Sequence, residues 1–508
     1  MPQAASRTPP GRRASVLAFD LGASNGRALV GELLEDREGR RLAVTEIHRF
    51  PNGPVETCGH LYWDILRLLQ KVKAGIRKAF LEGFRPESFG IDTWGVDFGL
   101  IDRNGELVGN PYHYRDSQTD GLIDEVAALV GRRELYEQGG LQFMPFNTIY
   151  QLYAMAKARS PRLDAAETLL LTPDLIAYLL TGRKVCEFTM ATTTQLLHPL
   201  TKTWNTALME RLGIPSRLFL DVVPPGTCIG PLSDAVCREL GVPPVEAVAV
   251  ATHDTESAAA AVPAGGEPFV YLVCGTWSLL GTELDRPLLT PQAMELAYSN
   301  EGGAGGTWQL LKNIMGLWIL QECRREWEEQ GLPFAWSDLV DAARKAPPFR
   351  SLIDPDDLRF YAPDSMLEEI RGFCRGTGQP EPETQGQVVR CILESLALRY
   401  RQAVDQLELL TGRSFRGLHM VGGGIQNELL CRFTANALAR PVWAGPVEAS
   451  AVGNMLVQLI ALGHCRDLRE ARALVRDSFP LAAYEPDPAE QSSWEEARRK
   501  FAGICGAG

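Results

Sequence analysis

Near the start of the chain an apolar run, Val16-Leu-Ala-Phe19, leads into Asp20. A tight polar turn on Gly22, Ser24, Asn25 and Gly26 follows, then Arg27 and a second apolar run. This pattern predicts strand, turn and strand. With a third strand over 42–47 it predicts a meander over 16–50, whose second turn lies at 36–40. Ile65, Leu68, Leu69, Val72, Ile76 and Phe80 recur at helical spacing and predict a helix over 63–82. Residues 88–101 read as two short strands around a glycine bend, turned at 102–105 into another strand over 106–108. A helix is expected over 173–180, with Thr172 as its N-cap and Gly182 as its stop.

The opening plan recurs in the second half of the chain. A strand over 245–251 is followed by an apolar run at 268–274, a small polar turn at Gly275-Thr276 and a strand over 279–284. A long amphipathic helix over 387–410 precedes a strand at 418–421 that ends in Gly422-Gly-Gly424, and Asn427 opens the next helix. Residues 347–386, rich in Pro, Asp and Gly, read as an extended excursion. Two copies of one plan predict two related lobes with a cleft between them. The expected division is a disordered tail over 1–15, lobes over 16–250 and 251–482, and a helical tail over 483–508.

Composition narrows the function classes. A chain of 508 residues is too long for one core. A net charge of −12 argues against a broad nucleic-acid surface but leaves room for a nucleotide held by one turn. No apolar run approaches the roughly 18 residues of a membrane span. Arg12-Arg13 imitates a twin-arginine export signal, but the apolar run behind it is short and broken by Asp20. Eleven cysteines without a C-x-x-C pair give no zinc spacing and fit a reduced, cytoplasmic protein. Cys374 and Cys391 flank a Gly/Pro-rich stretch, which leaves a pairing between them open.

The first turn points backbone N–H groups into one small space beside a carboxylate and a guanidinium. Such nests bind phosphate, and the carboxylate can hold a hydrated divalent cation. There is no G-x-x-x-x-G-K-[ST], and a strand rather than a helix follows, so neither a P-loop nor a dinucleotide fingerprint is present. An ordinary polar hairpin turn fits these residues equally well. Asp254, between His253 and Thr255 after an apolar strand, is either a base for a hydroxyl proton or the cap of the helix that follows. Gly422-Gly-Gly424 suits close approach of a flat ligand, or simply a flexible turn.

These pieces fall in a familiar order: Asp20-Leu-Gly-Ala-Ser-Asn-Gly-Arg27, Gly90-Ile-Asp-Thr-Trp-Gly-Val-Asp-Phe-Gly99, Asn110-Pro-Tyr-His-Tyr-Arg-Asp116, Thr252-His-Asp-Thr255, Cys274-Gly-Thr-Trp-Ser278, Asn300-Glu-Gly-Gly303, Leu311-Lys-Asn-Ile-Met-Gly316 and Val421-Gly-Gly-Gly424. In that order, over about 16–480, the chain resembles the FGGY carbohydrate kinases. One departure is Asn25 in place of Ser, which still donates to a phosphate oxygen.

The resemblance implies an α/β fold of two ribonuclease H-like, actin-like ATPase lobes that close over a sugar and ATP. It implies Asp254 as general base and Gly95, His253, Asp254, Thr255 and Asn313 around the sugar. Ala23, Ser24, Asn25, Gly26, Arg27, Thr276, Gln321 and Gly423 would serve the nucleotide. Asp20 would serve Mg²⁺, with Asp92 as a second candidate. Trp94 and Tyr114 either pack against the sugar's carbon skeleton or are core aromatics. The expected reaction is ATP-dependent phosphorylation of a small ketose, L-rhamnulose at O1, with L-fuculose or xylulose as rival substrates. An actin- or chaperone-like ATPase is the rival from another class.

Overall fold

The computed structural model describes residues 11–36 and 39–505. They form two compact units. One comprises the described residues up to Gly265 together with Leu284–Leu310 and Ala449–Phe479; the other comprises Gly266–Glu283, Leu311–Glu448 and the residues from Pro480 onward. The units are therefore discontinuous in sequence, unlike the expected lobes over 16–250 and 251–482. The helix Ala449–Ala461 belongs with the first unit, although it lies late in the chain.

In the first unit β1 (Arg12–Leu21), β2 (Asn25–Asp36), β3 (Gly39–Pro51), β4 (Ser88–Thr93), β5 (Thr227–Pro231) and β6 (Glu246–Ala249) form one sheet in the order β5-β6-β4-β1-β2-β3. The pairings β1–β2 and β2–β3 are antiparallel, as the meander predicts, whereas β1–β4 and β4–β6 are parallel. Strand β1 is continuously apolar over 16–19, where both its faces are covered. Leu17, Phe19 and Leu21 join the core that the helix Ile65–Leu81 completes with Ile65, Leu68, Val72 and Ile76. Gly75 lets that helix approach, since a Cβ there would lie 2.7 Å from the Phe19 ring. The opposite face is covered by Ala449–Ala461, whose Gln458 donates to the Leu17 carbonyl at 3.0 Å.

The second unit repeats the plan. Strands β7 (Val270–Cys274), β8 (Trp277–Leu284), β9 (Leu418–Val421), β10 (Val442–Ala444) and β11 (Ala482–Tyr484) follow the order β8-β7-β9-β10-β11. Again the first pair is antiparallel and the next two pairings, β7–β9 and β9–β10, are parallel. The helix Gln385–Thr411 opens on a capping box of Thr384 and Gln387, and Asn427 caps Glu428–Leu438.

Several local expectations change. Strand β1 begins at Arg12, so the expected tail cannot extend to residue 15; residues 1–10 lie outside the described residues, as do 37 and 38 of the second turn. Residues 106–108 form no strand, only a single bridge between Leu107 and Ile101. Thr172 is the first residue of the helix Thr172–Thr181 rather than its cap, because its hydroxyl donates to the Asp97 carbonyl. The excursion over 347–386 contains the helix Met366–Gly376. All eleven cysteines are free thiols; Cys374 and Cys391 do meet, but as hydrogen-bonded neighbours.

Candidate active site

Parallel strands end at the same edge, and three of them bring carboxylates there. Asp20 on β1 is the register partner of Asp92 on β4. The next residue, Thr93, bridges to His253, and its N–H donates to the Thr252 carbonyl at 2.9 Å. The chain then turns into the helix Asp254–Ala260, so Asp254 stands at its first turn. Its N-cap is His253, which makes no side-chain cap bond. The Asp254 carboxylate is thus not spent on capping, and its near partners are the Thr255 hydroxyl at 3.3 Å and His253 Nε2 at 3.6 Å.

Electrostatics separates these acids. Burial pushes the Asp254 pKa up, His253 and the Thr255 hydrogen bonds hold it back, Asp20 adds to the rise, and the result is about 6. Asp92 is fully buried and raised well above the usual carboxylate range by burial and by Asp20, despite a 2.6 Å hydrogen bond from Asn454. Its other oxygen, Oδ1, is buried without a hydrogen-bond donor. Asp20 pairs with Arg27, its cross-strand partner, at 2.5 Å.

The first turn is built as expected. The Gly22 N–H donates to the Asn25 carbonyl, and Asn52 braces the turn from outside by donating to the Gly22 and Ser24 carbonyls. Ser24 and Asn25 are exposed, Ala23 is half-buried and Gly26 is buried. Gly26 has no room for a side chain, since a Cβ would lie 2.4 Å from the Phe50 ring.

Gly95 meets His253 directly. A Cβ at Gly95 would lie 3.3 Å from His253 Nε2 and as close to Thr193. The neighbouring Val96 has φ of 70°, a sterically costly conformation for a β-branched residue. It is held by hydrogen bonds from its N–H to Thr193 and to its carbonyl from Thr148, and by the Asp97 N–H to Gly95 carbonyl bond across it. Asp97, fully buried, accepts from the indoles of Trp63 and Trp94 and from Gln151. Burial raises its pKa to about 7 against those donors. Trp94 and Tyr114 are both buried in the core, where Trp63 lies 4.0 Å from Trp94 between ring centroids.

In the second unit the Gly275-Thr276 turn is closed by the Gly275 N–H to the Trp277 carbonyl. Backbone N–H groups of Leu317 and Trp318 donate to the Gly275 and Thr276 carbonyls, which seats the turn on the start of the helix Trp318–Glu329. The Thr276 hydroxyl consequently reaches Gln321 at 3.3 Å. The three glycines after β9 are not equivalent. A Cβ at Gly424 would collide with Cys274 and one at Gly422 would crowd the Cys274 carbonyl, whereas Gly423 faces open space. Asn313 lies on the strand Trp308–Met315, half-buried.

Two groups escaped the sequence reading. Glu301 stands 3.0 Å from His253 Nδ1, and Glu187 accepts from the Thr252 N–H and hydroxyl just ahead of His253. Glu301 lay within the Asn-Glu-Gly-Gly segment, but nothing local marks its partner. Burial alone would lower the His253 pKa; Glu301, Asp254 and Glu187 together raise it above the ordinary value.

Residues 15–261 match the FGGY family of carbohydrate kinases, N-terminal domain, and residues 270–462 match the C-terminal domain of that family. A rhamnulokinase of Bacteroides thetaiotaomicron is 43% identical over 484 residues, covering 95% of this chain and 98% of the relative. A rhamnulokinase of Bacillus subtilis is 38% identical over 476 residues, covering 94% and 96%. Among solved structures, gluconate kinase from Lactobacillus acidophilus matches with a TM-score of 0.79 at 16% identity, over 97% of this chain and 98% of that one. Xylulose kinase from Rhodospirillum rubrum matches at 0.75 and 18% identity, over 96% and 98%. At such identities these structures speak to the fold alone, and the fold is the two-unit α/β, actin-like ATPase type expected from the resemblance.

Proposed function

The chain belongs to the FGGY family of carbohydrate kinases, and we propose that it transfers the γ-phosphoryl group of ATP to O1 of L-rhamnulose. The products are L-rhamnulose 1-phosphate and ADP, in L-rhamnose catabolism. The observation that carries the mechanism is the uncapped Asp254 carboxyl, raised to about 6, beside His253. The near-full-length similarity to proteins named rhamnulokinase supports the substrate.

Phosphoryl transfer needs positioning and charge neutralisation more than covalent help. Asp254 takes the O1 proton as O1 attacks the γ-phosphorus in line, and a pKa near working pH suits that task. Gly95, His253, Thr255 and Asn313 hold the sugar hydroxyls; Gly95 has no side chain to stand between the sugar and His253. Ala23, Ser24, Asn25, Gly26 and Arg27 receive phosphate oxygens, and so does Thr276, which Gln321 orients. The open face at Gly423 takes the adenosine. Asp20 and Asp92 fit a hydrated Mg²⁺: they are adjacent carboxyl groups, Asp20 disfavours a second charge on Asp92 that a cation would offset, and one buried Asp92 oxygen lacks a donor. Such a cation, when bound, neutralises phosphate charge.

Among the described residues no helix is long and apolar enough to cross a membrane. Eleven free thiols and the use of ATP fit a cytoplasmic site of action. The test is a coupled ADP-release assay over a ketose panel. L-rhamnulose is expected to give the highest kcat/KM. A higher value with L-fuculose or xylulose reassigns the substrate, and equal ATP turnover without sugar points to an actin- or chaperone-like ATPase instead.

A further inference from the structure

We propose that Glu301 is a positioning residue for this reaction: it holds His253 with its Nδ1 proton facing Glu301 and its Nε2 edge facing Asp254 and Gly95. The inference rests on the reading of Asp254 as the base, and it concerns what fixes the groups around that base.

The strand Ser299–Gly302 is buried at all four positions and cannot slide. The Asn300 amide donates to the Gly140 and Leu288 carbonyls and accepts from the Leu288 N–H. The Ser299 hydroxyl accepts from the Gln142 N–H, and the Gly302 N–H donates to Thr192. Gly302 lies so close to the Phe188 ring that a Cβ would sit 2.4 Å from it. Glu301, between these anchors, therefore presents its carboxylate from a fixed backbone.

That carboxylate lies 3.0 Å from His253 Nδ1, while His253 Nε2 lies 3.6 Å from Asp254 Oδ1. Both side chains of the first pair are almost wholly buried, so each would be costly without the other. Nδ1 and the Glu301 oxygen it faces are both buried and have no other hydrogen-bond partner among the described residues, so a proton on Nδ1 is what lets them satisfy each other. Nε2 is then the edge that faces the base and, in the proposed complex, the sugar. The His253 backbone is held as well, since its N–H donates to Thr189. The charged groups facing the ring are Glu301 from the buried strand, Asp254 and Glu256 from its own helix, and Glu187. Glu301 makes the closest approach to Nδ1. By raising the His253 pKa it favours the cation beside Asp254, and so favours the ionised form of Asp254.

The test compares wild type, Glu301→Gln and Glu301→Asp in steady-state kinetics with L-rhamnulose across pH. Glu301→Gln is expected to lower kcat about tenfold or more, to leave KM for ATP unchanged and to move the acid limb of kcat/KM to higher pH. Glu301→Asp, which keeps the charge, is expected to restore the position of that limb. A folded Glu301→Gln with wild-type kcat and pH profile overturns the proposal. Nitrogen-15 NMR of histidine-labelled wild type gives a second reading that needs no stable variant. An Nδ1-protonated His253 near pH 7 supports the proposal, and a neutral Nε2–H tautomer overturns it. If wild type fails to phosphorylate L-rhamnulose, the substrate reading falls, while the NMR result still judges Glu301.

Discussion

At Asp254 burial and Asp20 favour the protonated carboxyl, while His253 and two Thr255 hydrogen bonds favour the carboxylate; the balance is a pKa of about 6. A base must be unprotonated to accept a proton, so kcat/KM should fall as pH drops below about 6, nearly tenfold per unit, and level off above pH 7. A profile flat from pH 5 to 8 would assign the proton to another group. Asp254→Asn removes the acceptor and should lower kcat by at least about 100-fold, with ATP affinity within a few-fold of wild type by calorimetry. The sequence left base and cap evenly matched at this residue, because Asp serves both tasks. What distinguishes them is that His253 occupies the cap position, a backbone fact that residue types do not carry. Glu301 was harder still. Its role depends on a contact with a residue remote in the chain, and an isolated buried Glu resembles any other until that partner is seen.

Elements with a strong period were legible: the meander, the helix Ile65–Leu81 and the helix Gln385–Thr411 follow from apolar spacing and polar turns. Short segments were less so. Residues 106–108 have strand-like composition but find only one bridging partner, and Thr172 resembles a cap but spends its hydroxyl on Asp97. Helix-to-helix fit was invisible to periodicity, and Gly453 shows why. It lies on Ala449–Ala461 where that helix crosses Asp254–Ala260, and a Cβ there would lie 1.7 Å from the Ser257 carbonyl oxygen. Backbone cannot swing aside as a side chain can, so Gly453→Ala should destabilise the protein by about 3 kcal/mol, the upper end for overpacking. Urea unfolding measures this. Because the displaced helix carries Asp254, kcat should fall as well; a variant with wild-type midpoint and kcat would mean that the two helices are not so tightly apposed.

The molecule as a whole departs from chain order in a way that composition does not disclose. A strand buried on both faces needs a cover on each, and β1 takes one cover from the nearby helix Ile65–Leu81 and the other from Ala449–Ala461. An amphipathic or apolar pattern reveals that a helix has a face to bury, but not which sheet it will cover. The boundary expected near residue 250 followed sequence continuity for that reason. Val452, Met455, Leu456 and Leu459 on the late helix are buried, and Asn454 supplies the donor to Asp92. Each fully buried aliphatic side chain contributes about 1.5–3 kcal/mol, so losing four of them forfeits an amount comparable to the about 5–15 kcal/mol that holds a typical domain together. A chain ending at Glu448 keeps every sheet strand of the first unit and all of its proposed sugar ligands, yet it should not fold that unit cooperatively. Limited proteolysis should cut within 16–250, and urea unfolding should lose its sharp transition. If the shortened chain instead resists protease and still turns over L-rhamnulose, the late helix is an accessory, and the cover of β1 must come from elsewhere.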